Sequence, residues 1–253
     1  MKLTKFIVRR YLPPLISDNL WYNSFMINIS TISNLLALCV NYNDFNDIEY
    51  NCDILALKFD EDIEKSKEIL KNILPQIKKP LMICGCGKDD VDCILLPELI
   101  KVLDRECIIS YITEKNYKDI IPSVISGGHY AVLKTPIDIN LAKELNILCM
   151  KLGLSSEKII MNTDIGALGY GYEYGYSIME KVIQEAQKGD SYLDMPLISE
   201  AALEVVKTKE YKTGSDEARV KLEICASSGA IAAGANIVVM NSAQGVKTVK
   251  ELI

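Results

Sequence analysis

Groups able to hold a ligand are most concentrated between Asn162 and Tyr176. This stretch reads Asn162-Thr163-Asp164-Ile165-Gly166-Ala167-Leu168-Gly169-Tyr170-Gly171-Tyr172-Glu173-Tyr174-Gly175-Tyr176 and contains four glycines and four tyrosines. Glycines let a backbone approach a flat ligand or partner, and tyrosines supply rigid, amphipathic contact area. Asn162 and Asp164 carry the groups that would hydrogen-bond a ring edge or an amide. The alternative is a tightly packed turn between a strand and a helix, capped by Asp164. A second stretch, Cys84-Gly85-Cys86-Gly87-Lys88-Asp89, could turn backbone N–H groups toward an anion, with Lys88 adding charge. An ordinary glycine turn is the simpler explanation there. Thr135 and Asp138 follow a third apolar run, where helix capping by Asp138 suffices. Asn241-Ser242-Ala243-Gln244-Gly245 forms one more polar turn.

The chain offers no complete catalytic set. His129 is the single histidine, so histidine-paired triads and histidine-rich metal sites are nearly excluded, and a structural role is expected for it. Eight cysteines lie mostly within apolar runs, and the one close pair, Cys84-Gly85-Cys86, lacks the thiolate spacing of a zinc or iron–sulfur site. Buried free thiols are expected. No nucleophile–base couple and no metal-ligand set can be assigned, so the polar positions predict a binding face.

The elements that must position these residues recur regularly. Short apolar runs rich in β-formers occupy residues 25–29, 53–58, 80–84, 107–111, 130–134, 158–162, 195–199 and 236–240. Runs without strict alternation are those of strands buried on both faces. Amphipathic stretches at 61–74, 138–153, 172–189 and 216–234 predict helices between them, the last three ending at glycines. Its small residues, Ala226-Ser227-Ser228-Gly229-Ala230, suit the 216–234 helix to close packing. Strand–helix alternation means a parallel sheet. Eight units predict an α/β fold, a single TIM-like barrel, with an open α/β sheet as the alternative; no GxGxxG or GxxxxGK[ST] fingerprint favours the open form. The organisation expected is one domain: residues 1–50 as a divergent segment with the first strand–helix unit, and 51–253 as the rest of the barrel.

At 253 residues, 49% hydrophobic and 25% charged, the composition is that of a globular protein. A net charge of −6 argues against nucleic-acid binding. There is no apolar run long enough for a membrane span, and residues 1–10 lack a signal core, so a cytoplasmic location is expected.

From about Asp53 onward the sequence resembles the small (delta) subunit of the corrinoid/iron–sulfur protein of the carbon monoxide dehydrogenase/acetyl-CoA synthase system. Residues 135–146 and 166–174 carry the resemblance. Gly128-His129, Gly189-Asp190 with Met195-Pro196, and residues 233–240 follow in the family's order. The resemblance implies a TIM barrel paired with a corrinoid/iron–sulfur large subunit. The barrel would cap the cobalamin as a methyl group passes from a methyl-pterin, through a methyltransferase, to acetyl-CoA synthase. It implies a corrinoid at a subunit interface, with no cobalt ligand and no iron–sulfur cluster supplied by this chain. Asn162, Thr163, Asp164, Gly166, Ala167, Leu168, Gly169 and Tyr170 are then expected to face cofactor or partner, with Gly85, Cys86, Gly87, Thr135 and Asn241 as further rim positions. The first fifty or so residues depart from the family's usual longer N-terminal region, so the chain reads as a shortened member. Two other readings stay open. One is a stand-alone methyl-pterin methyltransferase in which Asn162 and Asp164 bind the pterin; the other is a repurposed barrel serving as an interaction module.

Overall fold

The computed structural model describes residues 34–45, 51–164 and 166–253. Eight parallel strands form its centre: β1 (Leu35–Asn41), β2 (Ile54–Lys58), β3 (Leu81–Cys84), β4 (Ile108–Ile112), β5 (Tyr130–Lys134), β6 (Ile159–Asn162), β7 (Ile198–Ser199) and β8 (Ile237–Met240). Their order is β6-β5-β4-β3-β2-β1-β8-β7, and the one isolated parallel bridge, Met161 to Leu197, brings β6 against β7. The sheet is thus rolled into a nearly closed barrel. The runs are apolar throughout because alternate residues serve two cores. Ala37, Ile54, Ala56, Met82, Ile108, Val132, Ile160, Ile198, Ile237 and Val239 fill the interior. Their neighbours, such as Leu36, Leu38, Leu55, Leu57, Leu81, Ile83, Ile109 and Leu133, belong to a second cluster shared with the surrounding helices.

Seven of the predicted runs become β2 to β8. The eighth, 25–29, lies outside the described residues, and the barrel's first strand is instead Leu35–Asn41, an apolar run that the sequence pattern did not single out. Its mate across the barrel end is β8, in the register Leu35 to Ile237 through Leu38 to Met240. The Asn/Asp-rich stretch that follows is the loop leaving β1: Asn41 accepts a bond from Asn43 N at 2.9 Å and starts a short 3-10 turn at Tyr42–Asp44. The run at 195–199 shrinks to two residues because Pro196 has no N–H to give a ladder; it contributes only its carbonyl, to Met161 N.

Several helices begin where the sequence supplies a side-chain cap. The helix α1 (Ile63–Ile73) starts on Asp62, which accepts from Lys65 N. α2 (Asp89–Ile100) and α3 (Tyr117–Gly127) follow β3 and β4. In α4 (Ile139–Lys151), Asp138 accepts from Asn140 N and Leu141 N at 2.9 and 3.0 Å, so the capping explanation holds for Asp138. α5 is Tyr172–Gln187; after β7 come the short α6 (Ala201–Glu204) and α7 (Lys209–Thr213), then α8 (Asp216–Ala233) and, after β8, α9 (Ala243–Leu252). The small-residue stretch of α8 lets α5 close on it. Tyr172 Oη donates to Ala226 O at 3.0 Å, and a Cβ on Gly229 would lie 2.2 Å from that oxygen. Among the described residues no helix is long and apolar enough to cross a membrane.

Candidate functional site at the barrel mouth

The C-terminal ends of the strands, where barrels place their chemistry, carry the polar residues. Lys134 ends β5, Asn162 ends β6 and Glu200 follows β7. Closure of the barrel brings the three together: Glu200 Oε2 accepts from Lys134 Nζ at 2.9 Å and from Asn162 Nδ2 at 2.8 Å. Glu200 is 2% exposed, and its other oxygen, Oε1, is buried without a hydrogen-bond partner. The Lys134 ammonium stands 4.7 Å from the centre of the Tyr111 ring. Burial works against the Lys134 charge, but the Glu200 carboxylate outweighs it and raises the pKa above the usual lysine value. Burial, with the Glu200 charge, lifts the Tyr111 phenol far above its ordinary range, so it stays neutral. Cys39 and Cys84 lie just below, their thiols also raised by burial, Cys39 to about 11. They are protonated and unreactive at neutral pH.

Asp164 plays a different part from the one its sequence position suggests. It is 5% exposed, and its Oδ2 accepts from Glu200 N and from Ala201 N, the latter at 3.0 Å. Burial raises its pKa to about 6. Asn162 Oδ1 accepts from Asp164 N at 3.0 Å, so the β6 end is locked to the start of the β7 loop by side chains. Asn162, Thr163 and Asp164 are thus brought to the mouth, but Asp164 is committed to the backbone and is not free for a ligand.

The remaining loop residues divide. Ala167 is buried and Leu168 packs on the helical core, so neither faces outward. Gly169 has φ +75°, with nothing within 4 Å of the position a Cβ would take. Tyr170 is 55% and Tyr174 61% exposed, with Tyr170 Oη donating to Glu210 at 3.3 Å. Gly169 and Tyr170 therefore belong to an outward turn, Gly166 lies so close to Tyr170 O that a Cβ would fall 2.0 Å from it, and Tyr172 belongs to the packing of α5 on α8.

The loop after β3 already holds its anion. Cys86 N and Gly87 N donate to the two carboxylate oxygens of Asp92, at 2.8 and 2.9 Å, and Asp92 is 1% exposed. Gly85 is required there: a Cβ would fall 2.3 Å from Asp92 Oδ1. Lys88 pairs with Glu61 at the surface. Asn241 repeats the arrangement, since Asn241 N and Ser242 N both donate to Glu223 Oε2 at 2.9 Å. Gly85, Cys86, Gly87 and Asn241 thus follow the ends of β3 and β8, and the backbone donors of Cys86, Gly87 and Asn241 are engaged by the protein's own carboxylates. Thr135 is fully buried; its Oγ1 has no partner, and its N–H bonds Asn162 O at 2.8 Å.

His129 lies at the opposite end of the barrel. Its Nδ1 accepts from Cys107 N, just before β4, at 3.2 Å, and the ring is 3% exposed. Burial lowers its pKa, keeping it neutral. Among the described residues no group of three or more His, Cys, Asp or Glu is arranged to hold a metal ion, and every described cysteine is a free thiol. Sequence reasoning missed Lys134, Glu200 and Tyr111. The available signal was a charged residue ending an otherwise apolar strand, Lys134 after Ala131-Val132-Leu133 and Glu200 after Leu197-Ile198-Ser199.

With this geometry in hand, comparison with known proteins is decisive: residues 16–252 match the family described as the CO dehydrogenase/acetyl-CoA synthase delta subunit. The chain belongs to that family. The acetyl-CoA decarbonylase/synthase complex subunit delta of Methanopyrus kandleri is 32% identical over 142 residues, 55% of this chain and 36% of that protein. The subunit delta of Methanocaldococcus jannaschii is 26% identical over 200 residues, 76% of this chain and 49% of that protein. The chain thus spans about a third to a half of the length of these curated relatives. In fold it is similar to dihydropteroate synthases, TIM barrels: that of Xanthomonas albilineans gives a TM-score of 0.65 at 11% identity, covering 87% of this chain and 91% of the other. That of Thermus thermophilus gives 0.62 at 11%, covering 89% and 95%. The delta-subunit match reaches back to residue 16, well beyond the Asp53 at which the resemblance is visible by eye.

Proposed function

We propose that this delta-subunit barrel is an accessory subunit of a corrinoid-dependent methyl-transfer assembly of acetyl-CoA metabolism, located in the cytoplasm. It pairs with a corrinoid/iron–sulfur large subunit and caps the cobalamin while a methyl group moves from a methyl-pterin to acetyl-CoA synthase. The observation that carries this reading is the state of the mouth. Among the described residues, Glu200 Oε2 is bound to Lys134 and Asn162, and Asp92, Asp164 and Glu223 are bound to backbone N–H groups, so these carboxylates serve the protein itself, with Glu200 Oε1 buried and unpartnered. Family membership supplies the assembly.

The rim suits a flat cofactor. Gly169 is open above its Cα, and Tyr170 and Tyr174 expose their rings beside it. These residues would lie against a corrin ring, whose cobalt supplies the methyl-carrying chemistry when the cofactor is bound. Tyrosine faces would shield the ring from water and fix its orientation. His129, buried at the far end with Nδ1 engaged, is not placed to ligate a metal at the mouth. A stand-alone methyl-pterin methyltransferase would need Asp164 free, and its Oδ2 serves Glu200 and Ala201 instead.

The test is purification of the tagged chain after co-expression with the corrinoid/iron–sulfur large subunit, with the visible spectrum of the eluate recorded. A stoichiometric pair with corrinoid absorption is expected. A colourless barrel eluting alone from corrinoid-replete cells overturns the proposal.

A further inference from the structure

The N-terminal end of the barrel, opposite the mouth, is finished in apolar side chains. Leu35 opens β1 and Tyr130 opens β5; both pack against the interior cluster and both are partly exposed. Lys158 Nζ stands 4.1 Å from the centre of the Tyr130 ring and pairs with Glu106. At the same end, Ile125 in the last turn of α3 and Leu152 just after α4 are 37% and 45% exposed. Ile125 Cδ1 lies 3.9 Å from the position a Cβ would take on Gly153, which brings the two helix ends side by side. An apolar end of this kind calls for a cover.

We infer that this end of the barrel is the docking face for the chain's own residues 1–33, which cross beneath it ahead of β1. The point of entry is the first argument. Leu35 N donates to Asn236 O at 2.8 Å, so the chain joins the sheet at this end. Asn34, immediately before, has φ +65°, a left-handed residue of the kind that marks a turn, and a turn there sends the preceding chain across the barrel end. Composition is the second. Residues 16–33 lie within the family match and carry one charge, Asp18, beside Leu20, Trp21, Phe25, Met26 and Ile27. Such a stretch has the apolar content to repay its own ordering by burial. Tethering is the third. A second copy of the chain or a foreign protein would have to displace a segment attached one residue from the face, which acts at a high effective concentration.

Trp21 is the only tryptophan in the chain, so its fluorescence in the full-length protein reports on this segment. The expected emission lies to the blue of that of the urea-unfolded chain, with acrylamide quenching several-fold weaker and unchanged on serial dilution. Two variants place the contact: Ile125→Asp with Leu152→Asp, and Tyr130→Ser. Each is expected to move the emission to the red and raise quenching several-fold while the far-ultraviolet circular dichroism stays native. If Y130S does not fold, the double substitution at the two exposed positions decides alone. Full exposure of Trp21 in the wild type overturns the inference. So does shielding that vanishes on dilution, which belongs to a second copy, or shielding untouched in the folded variants. No large subunit enters the measurement, so this inference and the proposed function fail separately.

Discussion

Replacing Asp164 tests whether side chains really hold the junction between β6 and β7. The backbone contributes one isolated bridge there, Met161 to Leu197, while Asp164 Oδ2 takes the N–H groups of both Glu200 and Ala201. In Asp164→Ala two buried donors lose their acceptor, at about 1–3 kcal/mol each. Burial of the ionised carboxylate works the other way. Its pKa rises from 3.8 to about 6, and that difference corresponds to about 3 kcal/mol of charge penalty at neutral pH. Because the folded value lies above the unfolded one, this group's stabilising contribution is complete below about pH 4 and is lost as pH rises toward 6. Asp164→Asn keeps an acceptor and removes the charge. Urea unfolding at pH 4.5 and pH 7 separates the two effects. Wild type is expected to lose about 2 kcal/mol relative to D164N between those pH values, while D164A is about 2–5 kcal/mol less stable than D164N at both. A wild-type-minus-D164N difference that does not change with pH, or a D164A as stable as D164N, refutes the reasoning.

Three further outcomes are expected. His129 has the opposite linkage sign: its lowered pKa makes stability fall as pH drops below about 6.5, so His129→Gln, measured by thermal melts from pH 7 to pH 5, loses less stability on acidification than wild type. Asp92→Ala strips the acceptors from Cys86 N and Gly87 N, and chemical denaturation is expected to show a loss of about 2–4 kcal/mol, with D92N losing less. The double substitution Tyr170→Ala, Tyr174→Ala removes two exposed rings; melting should stay within a few degrees of wild type while affinity for the corrinoid/iron–sulfur subunit, measured by surface plasmon resonance, falls about tenfold or more.

Local signals were legible in the sequence wherever the cause was local. Asp138 caps α4 because its side chain needs only the two residues after it, and the apolar runs at 130–134 and 236–240 return as strands within a residue of their expected ends. β1 was missed because Leu35–Asn41 follows another apolar run closely and periodicity does not choose between two such runs. The glycines of Gly85-Cys86-Gly87 read more simply as an ordinary turn than as an anion cradle, and nothing local showed that the loop closes around Asp92, folding back from the next helix. Lys134 and Glu200 meet across 66 residues, and only closure of the barrel creates that pair. The Asn162–Tyr176 loop follows β6, yet its composition could not say that Asp164, Ala167 and Tyr172 pack into the protein while Tyr170 and Tyr174 point out.

The order of the strands also bears on how the protein is made. Of the eight barrel strands β8 is synthesised last, and it is the one that pairs with both β1 and β7, four residues of it reaching back to Leu35–Leu38 some two hundred positions earlier. Lys250, in α9, then ties to Asp53 at 2.7 Å. Until β8 emerges, the nascent sheet has β1 exposed along one flank, an apolar strand of seven residues with an unused row of donors and acceptors. Ordering such distant partners is slow, and an open flank of this kind invites pairing with another nascent copy. Synthesis of this barrel therefore has its most aggregation-prone moment just before β8 emerges, when nearly all of the hydrophobic interior exists and the strand that seals it has not yet arrived.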